Sequence, residues 1–175
     1  MIDEIRYPIG YFKKPDSLGE GIIQEWSDSI ASFPERLNFL TANLEEESLS
    51  KTYREEGWNV SQLIHHLADS HMNGYIRYKW ALTEDNPIIK TYNEKAFAEL
   101  GDSKSNRIES SAKILEGLHM RWTRSINGLT KDELERNFLH PEGNYPTKIY
   151  QIVALYAWHG DHHLAHIKNA LNKKS

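Results

Sequence analysis

The stretch Ile152-Val153-Ala154-Leu155-Tyr156-Ala157-Trp158-His159-Gly160-Asp161-His162-His163-Leu164-Ala165-His166-Ile167-Lys168-Asn169-Ala170 decides how this chain is read. Ile152, Tyr156, His159, His163, Ile167 and Ala170 recur at helical spacing and trace one face. Four of the nine histidines fall inside the eight residues from His159 to His166, a density that random scatter would not give. Residues four apart stack one above the other on a helix, so His159 and His163 present two imidazoles to one point on the core-facing side. His162 and His166 form a rival pair on a neighbouring face, ranked lower because that face leaves the apolar stripe.

Working back along the chain, the same period appears three more times. Leu18, Ile22, Ile23, Trp26, Ile30, Phe33, Leu37, Leu40 and Leu44 predict a first long helix from Pro15 onward, with a kink or break at Pro34. Leu63, His66, Leu67, Ser70, Gly74, Tyr78 and Ala81 predict a second, capped by Asn59 or Ser61 and ending before Asn86-Pro87. Ile108, Ala112, Leu115, Leu118, His119, Trp122 and Ile126 predict a third, capped by Ser105 or Asn106. A helical turn or two is expected over Thr130 to Arg136, and a turn-rich stretch over Phe138 to Pro146. Thr147 is expected to cap the last helix, which runs to about Asn172. Residues 1 to 15 carry Pro8, Gly10 and Pro15 among aromatics, and read as an extended, docked lead-in. Four amphipathic helices without a clear alternating strand pattern predict one all-α four-helix bundle domain over residues 1–175.

Only His66 of the pair His65-His66 falls on the face shared by Leu63, Leu67 and Ser70, so His66 points inward and His65 sideways. Three imidazoles from two facing helices, with a position left open, form a catalytic zinc arrangement. His66, His159 and His163 are therefore the candidate ligands of one divalent ion. For His65, His71, His119, His140, His162 and His166 the ordinary role of a hydrogen-bonded histidine leads, with His162 and His166 the best placed to support a ligand. Asp69, Asp161 and His162 are candidates for a general base. No catalytic residue is fixed, because an ion-activated water can react without a separate base.

Two look-alikes fail. Gly160 stands where a zinc protease carries its glutamate base, and Glu116-Gly117-Leu118-His119 matches half of a di-iron motif with no second copy. The absence of cysteine excludes thiolate ligands and a cysteine nucleophile. With 21 basic and 25 acidic residues, the net charge of -4 offers no footprint for nucleic acid or an anionic membrane. No apolar run approaches the roughly 18 residues of a membrane span, so a cytoplasmic protein with a small-molecule substrate is expected.

The motifs Arg6-Tyr7-Pro8-Ile9-Gly10 with Phe12 and Pro15, Gly57-Trp58-Asn59-Val60, His66-Leu67-Ala68-Asp69-Ser70 and Trp158-His159-Gly160-Asp161-His162-His163 with His166-Ile167 resemble the DinB-like bundles, specifically the YfiT type of metal-dependent hydrolase. The likeness covers nearly the whole chain. It implies an up-down-down-up bundle, zinc or nickel held at His66, His159 and His163, and a homodimer. Broader relatives use a low-molecular-weight thiol, transferring bacillithiol or glutathione or using mycothiol in isomerisation. Three readings follow: a metal-dependent hydrolase, a metal-dependent thiol S-transferase acting on small electrophiles with an external thiol cosubstrate, and a non-catalytic binding protein stabilised by its metal. Tyr11, Tyr92, Tyr145 and Tyr150 are expected at a dimer face or pocket mouth, and the 138–146 loop or the lead-in beside the site.

Overall fold

The computed structural model describes residues 3–142 and 145–172. Met1 and Ile2 of the lead-in and Gly143 and Asn144 of the turn-rich stretch lie outside them. The long helices are α1 (Ile22–Thr41), α3 (Val60–Thr83), α5 (Glu109–Ile126) and α7 (Ile149–Asn172). The short helices α2 (Glu46–Leu49), α4 (Glu94–Ala98) and α6 (Lys131–Glu135) lie between them. An antiparallel hairpin of β1 (Asn137–His140) and β2 (Tyr145–Lys148) leads into α7, with Phe138 opposite Thr147.

Local chemistry sets the ends, in places differently from the periodic reading. Gly21, at φ 74°, takes a left-handed conformation suited to glycine and starts α1, so Leu18 packs from the loop instead of the helix. Pro34 does not break α1, which runs on to Thr41 with the ring buried. Asn59 and Gln62 form a capping box at the start of α3, and Thr130 and Glu133 form one for α6. Ser105 and Asn106 do not cap α5. Ile108 holds the cap position, while Asn106 accepts from the Ser61 hydroxyl at 2.8 Å. Thr147 belongs to β2, and the Gln151 side chain accepts instead from the Lys148 N–H at 3.0 Å.

Helices α1 and α3 each pack against α5 and α7, and side-chain pairs give the directions. Ser27 meets Asn127 and Ile30 meets His119, so α1 and α5 are antiparallel. His65 with Ser111, His71 with His119 and Tyr78 with Ser125 make α3 and α5 parallel. His66 beside His163 and Tyr156 bonded to Ser70 make α3 and α7 antiparallel. The order is up-down-down-up. One apolar cluster gathers Leu37, Leu63, Ile64, Leu67, Leu115, Leu164 and Ile167. A second gathers Tyr75, Tyr78, Trp122, Ile126, Tyr150 and Val153. Fully burying each such side chain contributes roughly 1.5–3 kcal/mol. Along α3, α5 and α7 the stretches between the clusters carry His71, His119 and His159, so a polar layer crosses the bundle between two apolar ones.

The lead-in is docked along α7. Gln151 donates to the Pro15 carbonyl and Tyr150 to that of Asp16, Phe12 packs on Trp158, and His166 bonds the Arg6 carbonyl. Tyr11 and Tyr145 are exposed, but Tyr150 is buried by its bond to the lead-in and Tyr92 is half-buried, so those two form no surface patch. Among the described residues, no helix is long and apolar enough to cross a membrane.

Candidate metal centre

His66 lies in the second turn of α3, which the Asn59 cap starts in a fixed register, and His159 and His163 lie one turn apart in the middle of α7. The crossing of these helices brings the three rings together. One nitrogen from each lies within 4.8 Å of the others, so the trio could hold a metal ion. His66 and His163 are buried and His159 is partly so. The ring of Trp58 lies 4.7 Å from that of His66, and Tyr53 stacks on His166 at 4.1 Å.

Burial keeps these rings uncharged. It alone lowers His66 to about 4. It drives His159 and His163 well below the ordinary value, helped by repulsion from His66 and His159 respectively. A neutral imidazole is the form that ligates a metal, so the donor set fits a divalent ion of borderline softness.

The other histidines fall into two groups. His65 is buried between Ser111 and the Ser105 carbonyl, at 2.8 and 2.9 Å, and ties α3 to α5. His71 and His119 continue inward from His159, with contacts of 3.1 Å (His71 to His159) and 2.8 Å (His71 to His119), and His119 reaches the Ile30 carbonyl at 2.6 Å. Periodicity puts His119 on the apolar face of its helix and leaves His71 off that of α3, and it cannot show that they join the candidate ligand, since their partners come from other helices.

His162 and His166 lie off the apolar stripe and are buried all the same. The lead-in covers them, and with His163 they form a second trio of ligating distance. His162 stacks on Trp158 at 4.4 Å, with Tyr7 beyond it at 6.0 Å.

Neither aspartate is drawn into the trio. Asp161 pairs with Arg36 of α1 at 2.5 Å, and both side chains are substantially exposed. Asp69 is half-buried, and burial together with repulsion from Asp102 raises its carboxyl above the ordinary value. Of the two segments expected beside the site, the lead-in is there. The hairpin joins α7 at Ile149, roughly 15 Å along the helix axis from His159.

An up-down-down-up bundle with three uncharged imidazoles converging from α3 and α7 defines a helical protein whose core could hold a divalent metal. The chain belongs to the DinB superfamily, whose family model matches residues 30–167. A relative from Halalkalibacterium halodurans is 52% identical over 95% of this chain and 96% of its own length. One from Oceanobacillus iheyensis is 46% identical over 97% of each. Both carry the name putative metal-dependent hydrolase. The solved structure of YfiT from Bacillus subtilis, described as a probable metal-dependent hydrolase with an unusual four-helix bundle topology, superposes with a TM-score of 0.91. It is 39% identical, with 94% of each chain covered.

Proposed function

We propose that the protein is a metal-dependent hydrolase of a small molecule, with one zinc or nickel ion held by His66, His159 and His163. The observation that carries this reading is the convergence of three neutral imidazoles from two helices, with one nitrogen of each within 4.8 Å of the others. A divalent ion in such a site supplies Lewis acidity and brings water toward ionisation near neutral pH. The chain's own part is to present three lone pairs at fixed positions and to keep the ligands uncharged by burial, with Trp58 packed against His66. The names of the relatives agree with this activity.

The test is turnover of a panel of esters, amides and epoxides by zinc- or nickel-loaded protein, with and without bacillithiol or glutathione. Hydrolysis that depends on metal and is unaffected by thiol supports the reading. Turnover that consumes thiol with the electrophile would instead make the protein an S-transferase. A centre that no added anion or inhibitor reaches, seen in the spectrum of the cobalt-substituted protein, would point to a metal that only stabilises the fold.

A further inference from the structure

Two of the three clustered imidazoles continue into hydrogen-bonded chains that end on backbone carbonyls, and a carbonyl can only accept. The Nδ1 of His119 lies 2.6 Å from the Ile30 oxygen, so it carries the proton and its Nε2 carries the lone pair. That Nε2 is 2.8 Å from His71 Nδ1, which therefore donates. His71 Nε2 is then an acceptor, 3.1 Å from His159 Nδ1. With every ring neutral, one arrangement of protons satisfies the chain. His159 keeps its proton on Nδ1 and its lone pair on Nε2.

The sequence supplies the anchor. In a continuous helix the Ile30 carbonyl would accept from the N–H four residues on, but that residue is Pro34, which has none. The proline that α1 tolerates thus leaves an oxygen free for His119. Phe33 stacks on His71 and His119 at 5.5 and 5.2 Å, and Tyr156 meets His71 edge-on at 4.9 Å, which holds the ring planes.

A second chain runs from the other ligand. His166 Nε2 lies 3.1 Å from the Arg6 carbonyl of the lead-in, so His166 Nδ1 accepts. His163 Nδ1, 3.3 Å away, donates to it. His163 too is left with its lone pair on Nε2.

We infer that His71 with His119, and His166 with the docked lead-in, are positioning residues that lock His159 and His163 as Nε2 donors to the divalent ion. This rests on the metal-site reading above. Neither chain serves as a proton exit, because each ends on a carbonyl that cannot take the proton up. Their effect is on ligand orientation, and so on affinity.

Long-range 1H–15N spectra of metal-free, histidine-labelled protein read the tautomers directly, with single variants giving assignments. The expected pattern is Nδ1–H at His71, His119, His159 and His163, and Nε2–H at His166. A proton on Nε2 of His159 or His163 would overturn the inference. Zinc affinity gives a second readout. His71→Leu is expected to bind zinc 10–100-fold more weakly, going by the usual effect of losing a ligand's hydrogen-bond partner. His71→Gln, whose side-chain oxygen can accept from His159 Nδ1, is expected to recover most of that loss. A folded His71→Leu variant with wild-type affinity would contradict the proposal. If the wild type itself binds no zinc, the metal-site reading falls, while the tautomer spectra still decide whether the chains exist.

Discussion

A Cβ added at Gly160 would lie 2.7 Å from Cδ2 of Phe33, the ring that also stacks on His71 and His119. The sequence shows that this position lacks the glutamate of a zinc protease, and the structure shows why a side chain does not fit. Gly160→Ala should therefore destabilise the protein by about 1–3 kcal/mol, the usual cost of overpacking, despite alanine's better helix propensity. Urea unfolding followed by circular dichroism checks this, and a variant as stable as the parent would mean that α1 and α7 can separate at no cost. At this scale the candidate ligands were legible, because spacing along one helix places His159 with His163 and the apolar stripe of α3 selects His66. His119 was legible on the apolar face of its helix, and His71 only as an ordinary hydrogen-bonded histidine. Their bonds join all four long helices, and periodicity carries no information about a neighbour on another helix.

Elements with a long apolar period and a chemical cap were readable to within a few residues. Helix α3 is the clearest, since Asn59 and Gln62 form a reciprocal cap just ahead of the buried run Val60, Leu63, Ile64 and Leu67. Asn59→Ala should cost about 1 kcal/mol. It should also loosen the turn that carries His66, so thermal unfolding of the variant should show a lowered midpoint. An unchanged midpoint would mean that packing alone sets the start of α3. What was not readable is short. Helices α2 and α4 span 4 and 5 residues, too few to show a period, and the β1–β2 hairpin was read only as turn-rich because its strands are four residues each with Pro146 inside one. Pro34 predicts a kink or break because it removes a helix hydrogen bond. The freed carbonyl is used by His119, and α1 continues.

At the scale of the molecule, parallel packing of α3 on α5 obliges residues 84–108 to return along the bundle, a path that no periodic pattern traces. The layer of histidines between the two apolar clusters makes stability depend on pH. His119 is 1% exposed. It faces the Ile30 carbonyl and the Arg36 charge on α1, and His71 on α3. Burial chiefly, with Arg36 adding to it against the bond to Ile30, lowers it from 6.5 to about 4. Between these values the unfolded chain binds a proton that the folded chain refuses, so stability is fully present above about pH 6.5 and falls as the pH falls toward 4. His119 alone accounts for a loss on the order of 3 kcal/mol. Urea titrations of chelator-treated protein at pH 7.5, 6 and 5 should show this decline, and stability that holds constant to pH 5 would contradict it.

The central claim is that His66, His159 and His163 form one metal site. Elemental analysis by mass spectrometry on untagged protein, purified beside His66→Ala and His163→Ala variants, tests it most directly. The account predicts one divalent ion per chain in the wild type and its loss in both variants. Metal retained by the variants, or absent from the wild type when zinc and nickel are supplied in the medium, would contradict it.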